Sequence, residues 1–239
     1  MAGVTAAIKE LDGGHNVIAK LIGVLAFPFC LCVGGSILGV YVSSELSSAI
    51  SVENSSGKVV HDAFVNFGIP VVILLFALLF SLSLALPRWY GAGRQYVNNF
   101  PLFSLYKNAI LGSFLDSLGN LISCNMNLDE ALAAIEPHSS PFMRQHIKAM
   151  REQRIGEDNL GVILDTGLFI PIALSPLKVM GSTAEFSGLL FKSAVTHKAA
   201  AEKSMKRMSS IMPMVGIVIA IACLASLIGS SISDLMSVI

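Results

Sequence analysis

The stretch PIALSPLKVMGSTAEFSGLLFKSAVTHKAAAEKSMKRMSSIMPMVGIVIAIACLASLIG, residues 171–229, decides how this chain is read. It opens with a short segment, Ile172 to Gly181, and passes through Ala184-Glu185-Phe186-Ser187-Gly188. A charged helical pattern follows, with Lys192, Lys198, Glu202, Lys203, Lys206 and Arg207. That pattern runs without a clear break into the apolar span Ile211 to Gly229. The sequence therefore predicts a polar helix continued directly as a membrane helix. A device that moves something at a membrane with force from the cytoplasm needs such a joint.

Working outward, two more windows match that span. Leu21–Ser43 and Phe64–Leu86, like Ile211–Gly229, contain no Asp, Glu, Lys, Arg or His. Each has about the 20 residues needed to cross roughly 30 Å of hydrocarbon at a rise of about 1.5 Å per residue. A single central charge would cost about 2.5–3.5 kcal/mol on insertion, and none is present. The expected fold is an all-α membrane protein with three transmembrane helices (17–43, 64–87 and 210–230) and one cytoplasmic bundle of about six helices over 88–209. The remainder is a short N-terminal segment (1–16), a loop (44–63) and a tail (231–239). The first span is too long for a cleavable signal peptide and has no basic region before it. Its Pro28 and Gly34-Gly35 are tolerable where neighbouring helices satisfy freed backbone groups.

The chain balances 16 Lys and Arg against 16 Asp and Glu, yet the charges are unevenly placed. The loop 44–63 carries Glu45, Glu53 and Asp62 against Lys58. Arg88, Arg94 and Lys107 follow the second span, and Lys203, Lys206 and Arg207 precede the third. The positive-inside rule then puts 88–209 and the N-terminal segment in the cytoplasm, with 44–63 and 231–239 outside. Cys30, Cys32 and Cys223 lie in spans and Cys124 in the cytoplasmic segment, so no disulfide is expected.

Within 101–209 the apolar periodicity is helical throughout. Pro101 to Leu121 is an amphipathic helix. Asn127 is placed to cap the next, with Glu130 at the capping-box position, and Pro137 ends it. Ser140-Pro141 is cap and first-turn proline of a helix to about Ile155. Asp158 or Asn159 caps a short helical stretch ending at Gly167. A segment from Pro171 to Gly181 is expected to be interrupted at Pro176, before the helix from Ala184.

Motifs for chemistry are absent. There is no phosphate loop, no H-E-x-x-H, no C-x-x-C and no G-x-S-x-G, so the chain is read as a non-enzyme with no cofactor and no metal. His138 and His146 are read as surface histidines at a helix start, and Asp129-Glu130 and Glu157-Asp158 as carboxylates favoured by the helix dipole. Arg144, Lys148, Arg151 and Arg154 form a basic face, either solvated or docking an acidic partner. No nucleic-acid partner is expected. Glu185, between short helices beside Ser187-Gly188, is a cap, a hinge or a contact. Trp89 and Tyr90 suit the headgroup level, where Arg88 and Arg94 can reach anionic lipid.

Four stretches resemble the inner-membrane platform protein of type IV pilus and type II secretion machines, the PilC/GspF-type family. They are Pro87-Arg88-Trp89-x-Gly91-x-x-Arg94 with Phe100-Pro101-Leu102-Phe103-Ser104-Leu105-Tyr106-Lys107; Phe114-Leu115-x-x-Leu118 through Leu128-x-x-Ala131-Leu132; Ala184-Glu185-Phe186-Ser187-Gly188-Leu189-Leu190, similar to the family's G-E-x-S-G-x-L signature; and the final helix-to-membrane run. The first is most like type IVb pilus members. Cys124 and Ala184 stand where members carry glycine. The resemblance covers roughly Lys20 to the end, and the family's first helical domain has no counterpart in this sequence beyond a possible remnant in Met1 to Asn16.

The resemblance implies a multi-pass protein of the bacterial inner membrane with a mechanical function. It would couple a cytoplasmic hexameric assembly ATPase to insertion or extraction of pilin or pseudopilin subunits, beside other inner-membrane assembly proteins. Arg144, Lys148, Arg151, Arg154, Glu185 and Gly188 would be partner-binding. Small residues (Gly23, Gly34, Gly35, Gly39, Gly216, Ala220) would serve packing within one subunit or a homo-oligomer in the lipid. The alternative is a small transporter or channel subunit, a class that usually places ionisable groups at mid-membrane.

Overall fold

The computed structural model describes residues 13–49, 62, 66, 69–91, 93–155, 157–182 and 186–238. Among them the secondary structure is helical, with no strand. The α-helices are α1 (Gly13–Ala49), α2 (Ile69–Arg88), α3 (Arg94–Val97), α4 (Pro101–Ser123), α5 (Leu128–Ile135), α6 (Pro141–Gln153), α7 (Leu160–Ile163), α8 (Pro171–Met180) and α9 (Phe186–Val238), with a 3₁₀ turn at Glu136–His138. The chain divides into two compact units. One comprises Ser83–Lys206 with the chain up to Leu21, and the other Ile22–Leu82 with Arg207–Ile239.

The first unit is built around α4. Leu111, Phe114, Leu115 and Leu118 are wholly buried, as are Ala131 and Leu132 of α5, Ile147 and Met150 of α6, Leu164, and Leu190 and Ala194 of α9. A helix covered on nearly every side is the core of its domain. The helix ends follow the capping chemistry in the sequence. Asn127 Oδ1 accepts from the Glu130 amide at 2.9 Å, and Ser140 Oγ from the Met143 amide at 3.3 Å ahead of Pro141. Asn159, rather than Asp158, caps α7 by accepting from the amides of Gly161 (2.9 Å) and Val162 (3.4 Å). At the end of α4 the left-handed position is Asn125 (φ 61), with the Met126 amide reaching back to the Leu121 carbonyl at 3.3 Å. Asparagine tolerates that conformation, so the turn closes with Cys124 rather than glycine before it.

Two expectations are corrected. Pro176 does not interrupt α8, which runs unbroken from Pro171 to Met180. Arg94 does not reach for lipid, because it is 2 % exposed. Gly91 and Gly93, at φ 95 and 100, bend the chain sharply after α2 and aim Arg94 inward. Its guanidinium donates to the carbonyls of Leu86 (3.1 Å) and Ala85 (3.5 Å) and to Asn98 Oδ1 (3.2 Å). It lies 4.6 Å and 4.5 Å from the ring centres of Phe103 and Phe142. Burial lowers its pKa to about 10, which leaves it charged at neutral pH.

In the second unit, Gly216 of α9 sits against Pro28 of α1, where a Cβ would lie 2.9 Å from the proline Cβ. Phe29 and Phe76 meet with ring centres 5.9 Å apart. Among the described residues, Gly23, Gly34 and Gly35 have no neighbour where a Cβ would project, unlike Gly216. Ile37, Leu38, Phe76, Phe80, Ile217 and Val218 are among many apolar side chains left uncovered. Among the described residues, two helices are long and apolar enough to cross a membrane: α1 over Ile22–Gly39, and α9. Both are largely unburied, unlike the core helix of a soluble domain. The apolar stretch described for α2, Phe76–Arg88, is shorter than such a crossing requires. Between α1 and α2 only residues 62 and 66 are described, and the first twelve residues lie outside the described residues.

The α7–α8 pairing yields a stability prediction. A Cβ on Gly161 would collide with the backbone of Leu177 and Lys178, whereas one on Gly188 would meet nothing within 4 Å. Gly161→Ala should cost about 3 kcal/mol, because backbone cannot move aside as a side-chain tip can. Gly188→Ala should be neutral or stabilising by a few tenths of a kcal/mol (~0.4). Thermal unfolding of the detergent-solubilised chain, followed by helix signal, compares the two.

Candidate functional site

Two clusters in the first unit concentrate polar and ionisable side chains. One is the face formed by α5, the 3₁₀ turn and α6, where Arg144, Lys148, Arg151 and Arg154 lie. The structure places each of them differently. Arg144 turns back onto the chain, donating to the carbonyls of Glu136 (3.2 Å), Pro137 (3.0 Å) and Ser139 (3.2 Å), and so closes the turn before its own helix. Arg151 bridges Asp129 Oδ1 (3.2 Å) and Glu136 Oε2 (2.9 Å). Arg154 approaches Asp129 at 3.8 Å. Lys148 is exposed on the rim.

The basic face is thus a mixed-charge surface. Its arginines are drawn to carboxylates from the start of α5 and the turn after it. It borders an open depression of about 780 Å³ that also takes in Glu152, Glu157 and Asp158. Hydrogen bonds donated to Glu136 and then to Asp129 raise the Arg151 pKa above its usual range. Among the described residues no group of His, Cys, Asp and Glu is arranged to hold a metal ion.

Of the other residues singled out in the sequence, Gly188 is exposed in the first turn of α9. Glu185 and Ala184 lie outside the described residues. His138 is exposed, but His146 is not the surface histidine expected. It packs edge-on against Phe142, ring centres 5.2 Å apart, and burial, then the charges of Arg94 and Lys107, lower its pKa to about 4.

The second cluster was not singled out in the sequence: a polar seam between α4 and α9. His197 is fully buried, with Nδ1 3.3 Å from Asn108 Oδ1 and its ring edge-on to Phe169. Its Nε2 has no hydrogen-bond partner among the described residues. The ammonium of the next residue, Lys198, is paired with Asp116, two turns along α4 from Asn108. Between them the Lys198 stem crosses Gly112, and Phe191 lies over Gly119. The spacing Asn108, Gly112, Asp116 on one helix stripe was the available signal, because two polar groups flanking a glycine at four-residue steps mark a close helix–helix contact.

Burial, then the Lys107 charge, lowers the His197 pKa to about 4. His146 and His197 are therefore neutral in the fold, while in the unfolded chain each titrates near its ordinary 6.5. Compared with family models, characterised proteins and solved structures, the chain has no match.

The histidines set a pH dependence. A group whose folded pKa is depressed stabilises the fold fully above its unfolded value and loses that contribution as pH falls through the folded one. Stability should be flat above about pH 7 and fall between about 6.5 and 4, by up to roughly 3 kcal/mol per histidine. In a His146→Phe/His197→Gln double variant the melting temperature should vary less steeply with pH over that window.

Proposed function

We propose that the chain is a membrane platform of a type IV pilus or related type II secretion machine, passing motion from a cytoplasmic ATPase to subunits held in the bilayer. The observation that carries this reading is α9. One unbroken helix runs from Phe186 to Val238. Its first half is fastened into the helical unit through His197, Lys198 and Phe191, and its second half is apolar and uncovered. A continuous helix can carry displacement along its length, because its peptide groups are tied turn to turn except at Pro213, which has no N–H to give. The four stretches of family resemblance agree with that use.

In this reading α1, α2 and the second half of α9 are three membrane spans of the inner membrane. The N-terminus and the unit around α4 are cytoplasmic, following the excess of Lys and Arg beside the spans. The chain does no chemistry of its own and works as an oligomer with pilin-like subunits and other assembly proteins. Its ATPase contact is the mixed-charge face on α5 and α6 together with the stretch of sequence from Glu185 to Gly188.

Lys148 gives the cleanest test, because reversing its charge leaves the Arg151 and Arg154 ion pairs in place. The detergent-solubilised chain should retain the assembly ATPase from the same operon in a nucleotide-dependent pull-down. Lys148→Glu and Glu185→Lys should weaken retention without changing the melting temperature. Retention equal to wild type in both variants would remove this face from the interface. No retention of any ATPase by the folded chain would remove the platform reading.

A further inference from the structure

The loop from Trp89 to Phe100 has an unusual division of labour. Its one buried charge, Arg94, points inward and holds the end of α2 to the aromatic faces of Phe103 and Phe142. Its rings point outward: Tyr90 is 60 % exposed, Tyr96 84 % and Phe100 63 %. Arg94 and Tyr96 are two residues apart on α3, one sealed and the other open. Trp89 is anchored edge-on to Phe103 at 6.0 Å and still 39 % exposed. Four aromatic side chains in twelve residues are thus displayed on a segment whose course is set by two positive-φ glycines and a buried guanidinium.

We infer that this segment is a membrane-seated collar, in which Tyr96 and Phe100 join Trp89 and Tyr90 in the headgroup layer of a phospholipid bilayer. The inference rests on the membrane reading above and adds a surface of the helical unit itself to the bilayer contact. Three observations select lipid as the occupant. The loop continues directly from α2, whose Phe76, Phe80 and Leu84 are exposed apolar side chains. Trp and Tyr combine an apolar ring with a polar tip and concentrate at membrane–water interfaces. Finally, no Asp or Glu occurs anywhere between Asp62 and Asp116. The cations there are Arg88, Arg94 and Lys107. Arg94 is internal and Lys107 half-buried, which leaves Arg88 at the surface for phosphate. A segment without carboxylates is not repelled by an anionic leaflet.

Trp89 is the chain's single tryptophan and so reports on this site alone. The full chain would be reconstituted into vesicles of phosphatidylethanolamine and phosphatidylglycerol containing lipids brominated either near the headgroup or deep in the acyl chain. Emission of wild type should be lost more to the shallow quencher than to the deep one. Trp89→Phe/Tyr96→Trp and Trp89→Phe/Phe100→Trp chains should do the same, because those side chains share the layer. Flotation of the same vesicles separates the two claims. A chain that floats but whose emission at positions 96 and 100 ignores both brominated lipids overturns the collar and leaves the membrane reading intact. If that emission is also sheltered from aqueous iodide, a protein partner covers the rings instead. A chain that does not float overturns both.

Discussion

The close approach of α4 and α9 is the contact on which the helical unit depends. Gly112 and Gly119 remove side chains where the Lys198 stem and the Phe191 ring must lie, so the two helices meet nearer than larger residues would allow. That proximity puts His197 opposite Asn108 and Lys198 opposite Asp116. Both pairs straddle the glycine contact at one-turn spacing, so sliding α9 by a turn would separate both and leave a buried imidazole facing carbon. The polar groups fix register rather than add much stability, because desolvating them offsets most of what their pairing returns. Register matters here because α9 continues without a break as the apolar helix.

Arg94 meets a related demand without an acidic partner. A buried guanidinium is usually matched by a carboxylate, yet the sequence has none between Asp62 and Asp116. The structure uses the carbonyls at the end of α2, where the helix dipole is negative, and two ring faces whose quadrupoles attract a cation. Each is a partial charge. Together with Asn98 they keep the arginine protonated although burial lowers its pKa. An Asp or Glu in this place would have solved the local problem and set a negative charge beside the end of an apolar helix.

Much of this was legible in the sequence, for identifiable reasons. The caps at Asn127, Ser140 and Asn159 are local events set by the side chain and the next few residues, and they are where the composition puts them. The continuity of α9 followed from the lack of any break between Arg207 and Ile211. What misled was judging residues by type alone. Arginines beside apolar spans usually reach outward to lipid, and nothing local to Arg94 shows that two glycines turn it in. Pro176 was expected to break α8, but a ten-residue helix tolerates the lost hydrogen bond when tertiary contacts such as the Lys178–Asp165 ion pair (2.6 Å) hold its far end. His146 and the His197 seam were hidden because their burial depends on elements distant in the chain: α4 and α6 for one, α4 and α9 for the other.

The mixed-charge face of α5 and α6 shows how internal pairing bears on docking. Read from the sequence, Arg144, Arg151 and Arg154 were free cations. In the fold Arg144 donates to three carbonyls around the turn before its own helix, so an outside group could recruit it only by breaking those bonds. Arg151 and Arg154 differ, since their partners Asp129 and Glu136 are carboxylates at a partly exposed surface. Exposed ion pairs are weak and screened by salt, so an incoming acidic group can replace the resident ones at small cost. The released Asp129 and Glu136 are then available to a basic group on the same partner. A face built this way has little net field to attract partners from a distance, and it discriminates by arrangement at contact. Such a face would suit the ATPase contact proposed above, which would hold and release its partner repeatedly rather than bind it once.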